Sequence, residues 1–182
     1  MTINRRSILV AAAMMASGTT KAAKTDAFGF SFPSIEDGVL DFAAFQGRVL
    51  LVTNTASFCG YTYQYEALEK LHATLAGRGL TVVGIPSQDF NQEKDNAADV
   101  KAFCEATFGV QFPMTGLLHV RGARADPFYL WVRAQKGWEP SWNFNKVLIG
   151  RDGRILGTYG SEDEPGGPRL RGAIERALAL GS

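Results

Sequence analysis

The sequence predicts an α/β fold, a central mixed sheet with helices on both faces. Three observations predict it. Two nearly continuous apolar runs, Val49-Leu50-Leu51-Val52 and Leu80 to Ile85, read as strands buried on both faces. Between them Tyr65, Leu68, Leu71 and Leu75 recur at helical spacing. After them a second helical pattern, two more short apolar runs and a last helical stretch continue the alternation of strand and helix.

Taken in order, Phe28, Phe30 and Phe32 alternate as on a strand. Asp37-Gly38 marks a hairpin turn before Val39-Leu40. The helix over Gln64 to Ala76 gains support from Glu66 four residues ahead of Lys70, and Gly77 and Gly79 end it. Leu80 to Ile85 is closed by Pro86. Asp95 to Phe108 predicts a second helix with Val100, Phe103, Cys104 and Phe108 inward. His119, in Leu117-Leu118-His119-Val120, falls at a strand end. Val147 to Ile149 and Ile155 to Tyr159 flank the turn Arg151-Asp152-Gly153, and a final helix runs from Pro168 to Leu180. This order describes a thioredoxin-like sheet, whose first strand–helix–strand unit should cross over right-handed. In such sheets the working site lies beyond the carboxyl ends of the strands.

Composition narrows the classes. The chain has 182 residues, Lys+Arg 19, Asp+Glu 18 and net charge +1, with 46% apolar and 20% charged residues. These values exclude disorder and give no electrostatic case for nucleic-acid binding. Two cysteines are too few for a disulfide scaffold. With only His72 and His119 beside them they make no zinc pattern, so neither a metal nor another cofactor is expected. No apolar run reaches the ~18 residues of a membrane-spanning helix. Residues 1–22 have the layout of a signal peptide: a basic start at Arg5-Arg6, an apolar stretch from Ile8 to Ala16, then small and polar residues. The paired arginines resemble a twin-arginine export signal, which implies a periplasmic protein. Removing this segment takes away three cations and no acid, which turns the charge of +1 into −2. Residues 23–182 then form one domain.

Cys59 lies where the chain leaves the first buried strand for the first helix. A thiol at a helix N-terminus meets unpaired backbone N–H groups and the positive end of the macrodipole. Both favour the thiolate, the form that attacks, and Gly60 leaves the sulfur reachable. Thr62 stands where a Cys-x-x-Cys motif would carry its second cysteine, which argues against dithiol exchange.

Three ordered segments resemble the glutathione peroxidase family. They are Asn54-Thr55-Ala56-Ser57-Phe58-Cys59-Gly60-Tyr61-Thr62, Gly84-Ile85-Pro86-Ser87-Gln88-Asp89-Phe90-Asn91-Gln92-Glu93, and Trp142-Asn143-Phe144-Asn145-Lys146-Val147-Leu148-Ile149. The likeness spans residues 28–180. It implies a thioredoxin-like fold and reduction of hydrogen peroxide or organic hydroperoxides by Cys59 through a sulfenic acid. It assigns Gln92, Trp142 and Asn143 as the neutral N–H donors of the site. Only Asn91 separates Phe90 from Gln92 where the family has two residues, so Gln88 stands as the alternative donor, and Lys94 replaces the family's proline. Ser87 occupies the position of one family cysteine. Cys104 is the one internal candidate for a resolving thiol, the alternative being core packing. The implied reductant is glutathione or a thioredoxin-type donor. The short stretch from Pro127 to Trp142 points to a monomer. Neither His72 nor His119 has a catalytic argument. Two other readings compete: a binding module in which Cys59 and Cys104 form a static staple, and a thiol–disulfide oxidoreductase of exported proteins.

Overall fold

The computed structural model describes residues 26–180, so the expected leader over residues 1–22 lies outside the described residues. Four strands form the sheet: β3 (Val49–Thr55), β4 (Leu80–Pro86), β5 (Lys146–Ile149) and β6 (Ile155–Tyr159), after a small hairpin of β1 (Ser31–Pro33) and β2 (Val39–Asp41). The spatial order is β4-β3-β5-β6. β3 and β4 pair in parallel with Val49 opposite Leu80, while β5 runs antiparallel to both β3 and β6. The helices are α1 (Gln64–Leu75), α2 (Ala97–Phe108), α3 (Pro127–Lys136) and α4 (Pro168–Ala179).

Strand alternation splits the core into two layers. Val49 and Leu51 face one cluster with Leu68 of α1, Val100 of α2 and Ile174 of α4. Leu50 and Val52 face the other, with Phe28, Phe32, Phe42 and, from α3, Phe128. This is the expected thioredoxin-like arrangement, with helices on both faces.

Three expectations need correction. Phe28, Phe30 and Phe32 do not share a strand. Ala27–Gly29 form a 3-10 turn capped by the Asp26 side chain, which accepts from the Phe28 N–H at 2.9 Å, and β1 starts only at Ser31. All three rings are buried, so the alternation marks burial rather than extended backbone. Residues 117–120 form no strand; the Leu118 N–H donates to the Pro86 carbonyl at 2.9 Å and the segment caps the end of β4. The stretch after Pro127 contains the unforeseen α3, with Pro127 at its first position and Gly137 (φ 62°) ending it. On α2 only Val100 and Cys104 are fully buried, and Phe103 and Phe108 are half-buried. Asp37 and Gly38 have φ of 68° and 74°, the left-handed pair a tight hairpin turn requires.

Candidate active site

β3 brings the chain to the site and stops at Thr55. Thr62 then closes a loop: its hydroxyl accepts from the Cys59 N–H at 3.0 Å and donates to the Ala56 carbonyl at 2.9 Å. This loop delays the helix. Cys59 therefore stands ahead of α1, which begins at Gln64, and not at its first turn as the sequence suggested. The N–H facing the sulfur comes from the loop itself, where Tyr61 donates to Sγ at 3.4 Å. Cys59 is 8% exposed, beside Phe58 at 62%.

The second motif is fastened to this loop at two points. The Phe58 N–H donates to the Gln92 carbonyl at 2.9 Å, and the Ser57 N–H donates to Glu93 Oε1 at 3.0 Å. Asn91, with φ 55°, makes the turn that presents Gln92. Asparagine tolerates this left-handed backbone better than most residues, which accommodates the shortened connection. Lys94 donates its own N–H to Glu93 Oε1 at 2.8 Å, a bond that a proline there could not make. Burial pushes the Glu93 carboxyl up, against the lowering effect of the Ser57 hydroxyl and the Lys94 and Ser57 N–H groups. Sequence reasoning missed this residue, although it stands in the quoted motif.

The third motif reaches the site through Asn54 of β3. Its Nδ2 donates to the Trp142 carbonyl at 3.0 Å, and its Oδ1 accepts from the Asn145 N–H at 3.0 Å. Phe144 takes φ 58° and sends its ring into the core against Tyr65, which turns Trp142 and Asn143 toward the end of β3. Asn143 is fully buried and its Nδ2 donates to Gln92 Oε1 at 2.9 Å. Gln92 is half-buried, and its Nε2 has no partner among the described residues. Gln88, the alternative donor, braces the loop instead: its Nε2 donates to the Glu93 carbonyl and to Asp95 Oδ1. The Trp142 ring is 40% exposed and leans on Phe90 with centroids 5.2 Å apart.

Cys104 is 1% exposed, and both cysteines are free thiols. Burial pushes the Cys104 thiol up to about 11, against the Tyr65 hydroxyl beside it. It also lines a cavity of about 470 Å³ with Lys101, Glu105, Phe112 and Met114. His119 pairs with Asp89 at 2.6 Å, and Asp89 also accepts the Val120 and Arg121 N–H groups. Burial works to raise the Asp89 carboxyl, but these partners outweigh it and hold it below the ordinary value. His72 accepts the Val82 N–H at 3.4 Å and joins no reactive group.

The family model for glutathione peroxidase matches residues 27–133. The chain belongs to the glutathione peroxidase family. A hydroperoxy fatty acid reductase of Synechocystis sp. is 36% identical over 170 residues, 87% of this chain and 99% of that one. The crystal structure of Trgpx in apo form superimposes with a TM-score of 0.69 at 32% identity, covering 86% of this chain and 97% of the other. A thioredoxin-family thiol:disulfide interchange protein of Chlorobium tepidum matches with a TM-score of 0.63 at 22% identity and shares the fold alone, covering 85% of this chain and 96% of its own. The protein is a thiol-dependent peroxidase with a thioredoxin-like fold.

Proposed function

We propose that Cys59 is the peroxidatic residue and that Gln92, Trp142 and Asn143 complete its site. The observation that carries this reading is Gln92, whose backbone carbonyl is tied to the Cys59 loop by the Phe58 N–H and whose side-chain amide accepts from Asn143 Nδ2 at 2.9 Å. The Cys59 thiolate attacks one peroxide oxygen, the O–O bond breaks, and a sulfenic acid forms while the departing oxygen takes a proton as alcohol or water. Gln92 Nε2 and the Trp142 indole N–H are neutral donors suited to that oxygen. Asn143, with its side chain buried, acts through Gln92 and is a positioning residue.

Cys104 supplies the second thiol. It shares one core cluster with Cys59, and α2 must open locally before the two sulfurs meet. The exposed rings of Phe58 and Trp142 give the site an apolar rim, which suits organic hydroperoxides as well as hydrogen peroxide. The name of the Synechocystis relative points the same way. The reductant is glutathione or a thioredoxin-type donor, and the protein works as a periplasmic monomer after residues 1–22 have taken it out by the twin-arginine route. Exchanging Arg5 and Arg6 for lysines should strand it inside the cell; unchanged export would remove that route.

Stopped-flow oxidation tests the core of the reading. Cys59→Ser should abolish peroxide consumption, and Trp142→Phe should slow the attack. A Cys59→Ser variant that still consumes peroxide at the wild-type rate would transfer the chemistry elsewhere. Mass spectrometry after one equivalent of peroxide should find a Cys59–Cys104 disulfide. A lasting sulfenic acid at Cys59 would show that the reductant resolves it directly.

A further inference from the structure

One cation bridges the two thiol-bearing elements. Lys94 Nζ lies 4.8 Å from the centre of the Phe58 ring and 5.2 Å from that of Phe103. Phe58 precedes Cys59 on its loop, and Phe103 precedes Cys104 on α2. Phe103 continues the contact inward, packing on Phe108 at 5.7 Å, which packs on Tyr65 of α1 at 5.4 Å. The backbone of Lys94 is held separately, by its N–H bond to Glu93 Oε1, whose carboxylate also grips the Ser57 N–H. The side chain is thus a strut between loop and helix, on a backbone fixed without it. A cation over an aromatic face is attracted to it, more strongly where water is partly excluded.

We propose that Lys94 is a positioning residue that clamps the Cys59 loop to α2 and sets the rate at which oxidised Cys59 is passed on to Cys104. This inference rests on Cys104 as the resolving thiol. In that step the Cys104 sulfur attacks the sulfenic sulfur of Cys59. An S–S bond forms, the S–O bond breaks, and hydroxide leaves with the Cys104 proton as water. Cys104 is oxidised and Cys59 reduced. The sulfurs meet only if α2 loosens, because a disulfide holds its Cα atoms within about 7 Å and Cys104 lies inside a regular helix. With the clamp closed, α2 stays a regular helix. Release of the clamp frees the first turns of α2, while the Cys59 loop stays held by its bonds to the Gln92 carbonyl and the Glu93 carboxylate.

The sign of the effect separates the clamp from simple electrostatics. The Lys94 charge favours the Cys104 thiolate. Removing it would by charge alone slow the Cys104 attack, whereas opening the helix would speed it.

The experiment is single-turnover oxidation of the full mature chain with one equivalent of hydrogen peroxide, quenched and resolved by mass spectrometry. It compares wild type, Lys94→Ala and Lys94→Arg. Hydrogen exchange on the reduced proteins compares residues 97–108 with α4. The clamp predicts that Lys94→Ala forms the Cys59–Cys104 disulfide about 5–30-fold faster, the scale of two weak attractions between a cation and a ring face. It also predicts faster exchange over residues 97–108 with α4 unchanged, an unaltered rate of peroxide attack, and wild-type behaviour in Lys94→Arg. Disulfide formation at the wild-type rate or slower in Lys94→Ala overturns the clamp and leaves Cys104 as resolver. If wild type forms no such disulfide, the Cys104 reading fails and the gate falls with it. Unchanged exchange over residues 97–108 in Lys94→Ala would show that no clamp exists at all.

Discussion

Gln88 and Gln92 carry the same amide four residues apart, and only their partners tell them apart. Gln92 accepts from Asn143 and keeps its Nε2 open, while Gln88 gives its Nε2 to Glu93 and Asp95. Gln92→Ala should therefore slow oxidation of Cys59 by about 10²-fold, the usual cost of losing one aimed donor. Gln88→Ala should cost much less, acting only through a looser loop. Stopped-flow rates in the same buffer decide it, and equal losses would remove Gln92 from the site. Cys104 gives a second prediction. With its thiol pushed up to about 11, alkylation of Cys104 in a Cys59→Ser background should rise about tenfold per pH unit from neutrality toward that value. A plateau near pH 9 would show an unburied thiol. Most residues of the candidate site were legible because their chemical type and order were distinctive. Glu93 was not, since a glutamate in a polar loop looks solvated until its burial and its bond to the Ser57 N–H are seen.

At the scale of elements, the site is a junction of three segments pinned by β3. Asn54 sits at the hinge, with one side-chain bond to the Trp142 carbonyl and one to the Asn145 N–H. Asn54→Ala would leave both backbone groups without these bonds. We expect a loss of about 2–4 kcal/mol, read as a lower urea midpoint, together with slower peroxide attack because Trp142 loses its anchor. A variant of unchanged stability and rate would mean that the backbone pairing alone holds the turn. The buried strands, α1 and the β5–β6 hairpin were readable from local pattern. Helix α3 was not, because its burial serves the second core layer through Phe128, Tyr129 and Val132, and that layer exists only once Phe28, Phe30, Phe32 and Phe42 have assembled. The delayed start of α1 escapes the sequence for a related reason: Thr62 closes the Cys59 loop with two hydrogen bonds, which periodicity does not register.

Across the whole molecule, one buried cation ties the far side of the site together. Lys146 is fully buried, and its ammonium donates to Gln64 Oε1 at 2.7 Å, the Asp163 carbonyl at 2.8 Å and the Gly160 carbonyl at 3.3 Å. Burial lowers its pKa from 10.5 to about 8, against the pull of Glu164, Asp163 and Glu162. Between those two values the unfolded chain holds the proton and the folded one releases it, so this group makes stability rise with pH across that window. Cys104 opposes it: its thiol moves from 9.0 up to about 11, so the folded state holds that proton longer and loses stability as pH climbs between them. The Lys146 share is isolated by comparing wild type with Lys146→Met. The gap in unfolding free energy should change in favour of wild type by about 2–3 kcal/mol between pH 8 and 10.5, and a constant gap would show that Lys146 stays charged. Taken alone, the chain's residues determined the alternating α/β order, the two-sided burial of the central strands and the chemical kinds present at the site, because these depend on local periodicity and on side-chain type. Tertiary structure alone decided which glutamine keeps its Nε2 open, that Asn143 donates to Gln92, that Cys59 stands ahead of its helix and that Lys94 spans loop and helix. Each of these depends on which groups meet across long separations in the chain, and no local pattern encodes such a meeting.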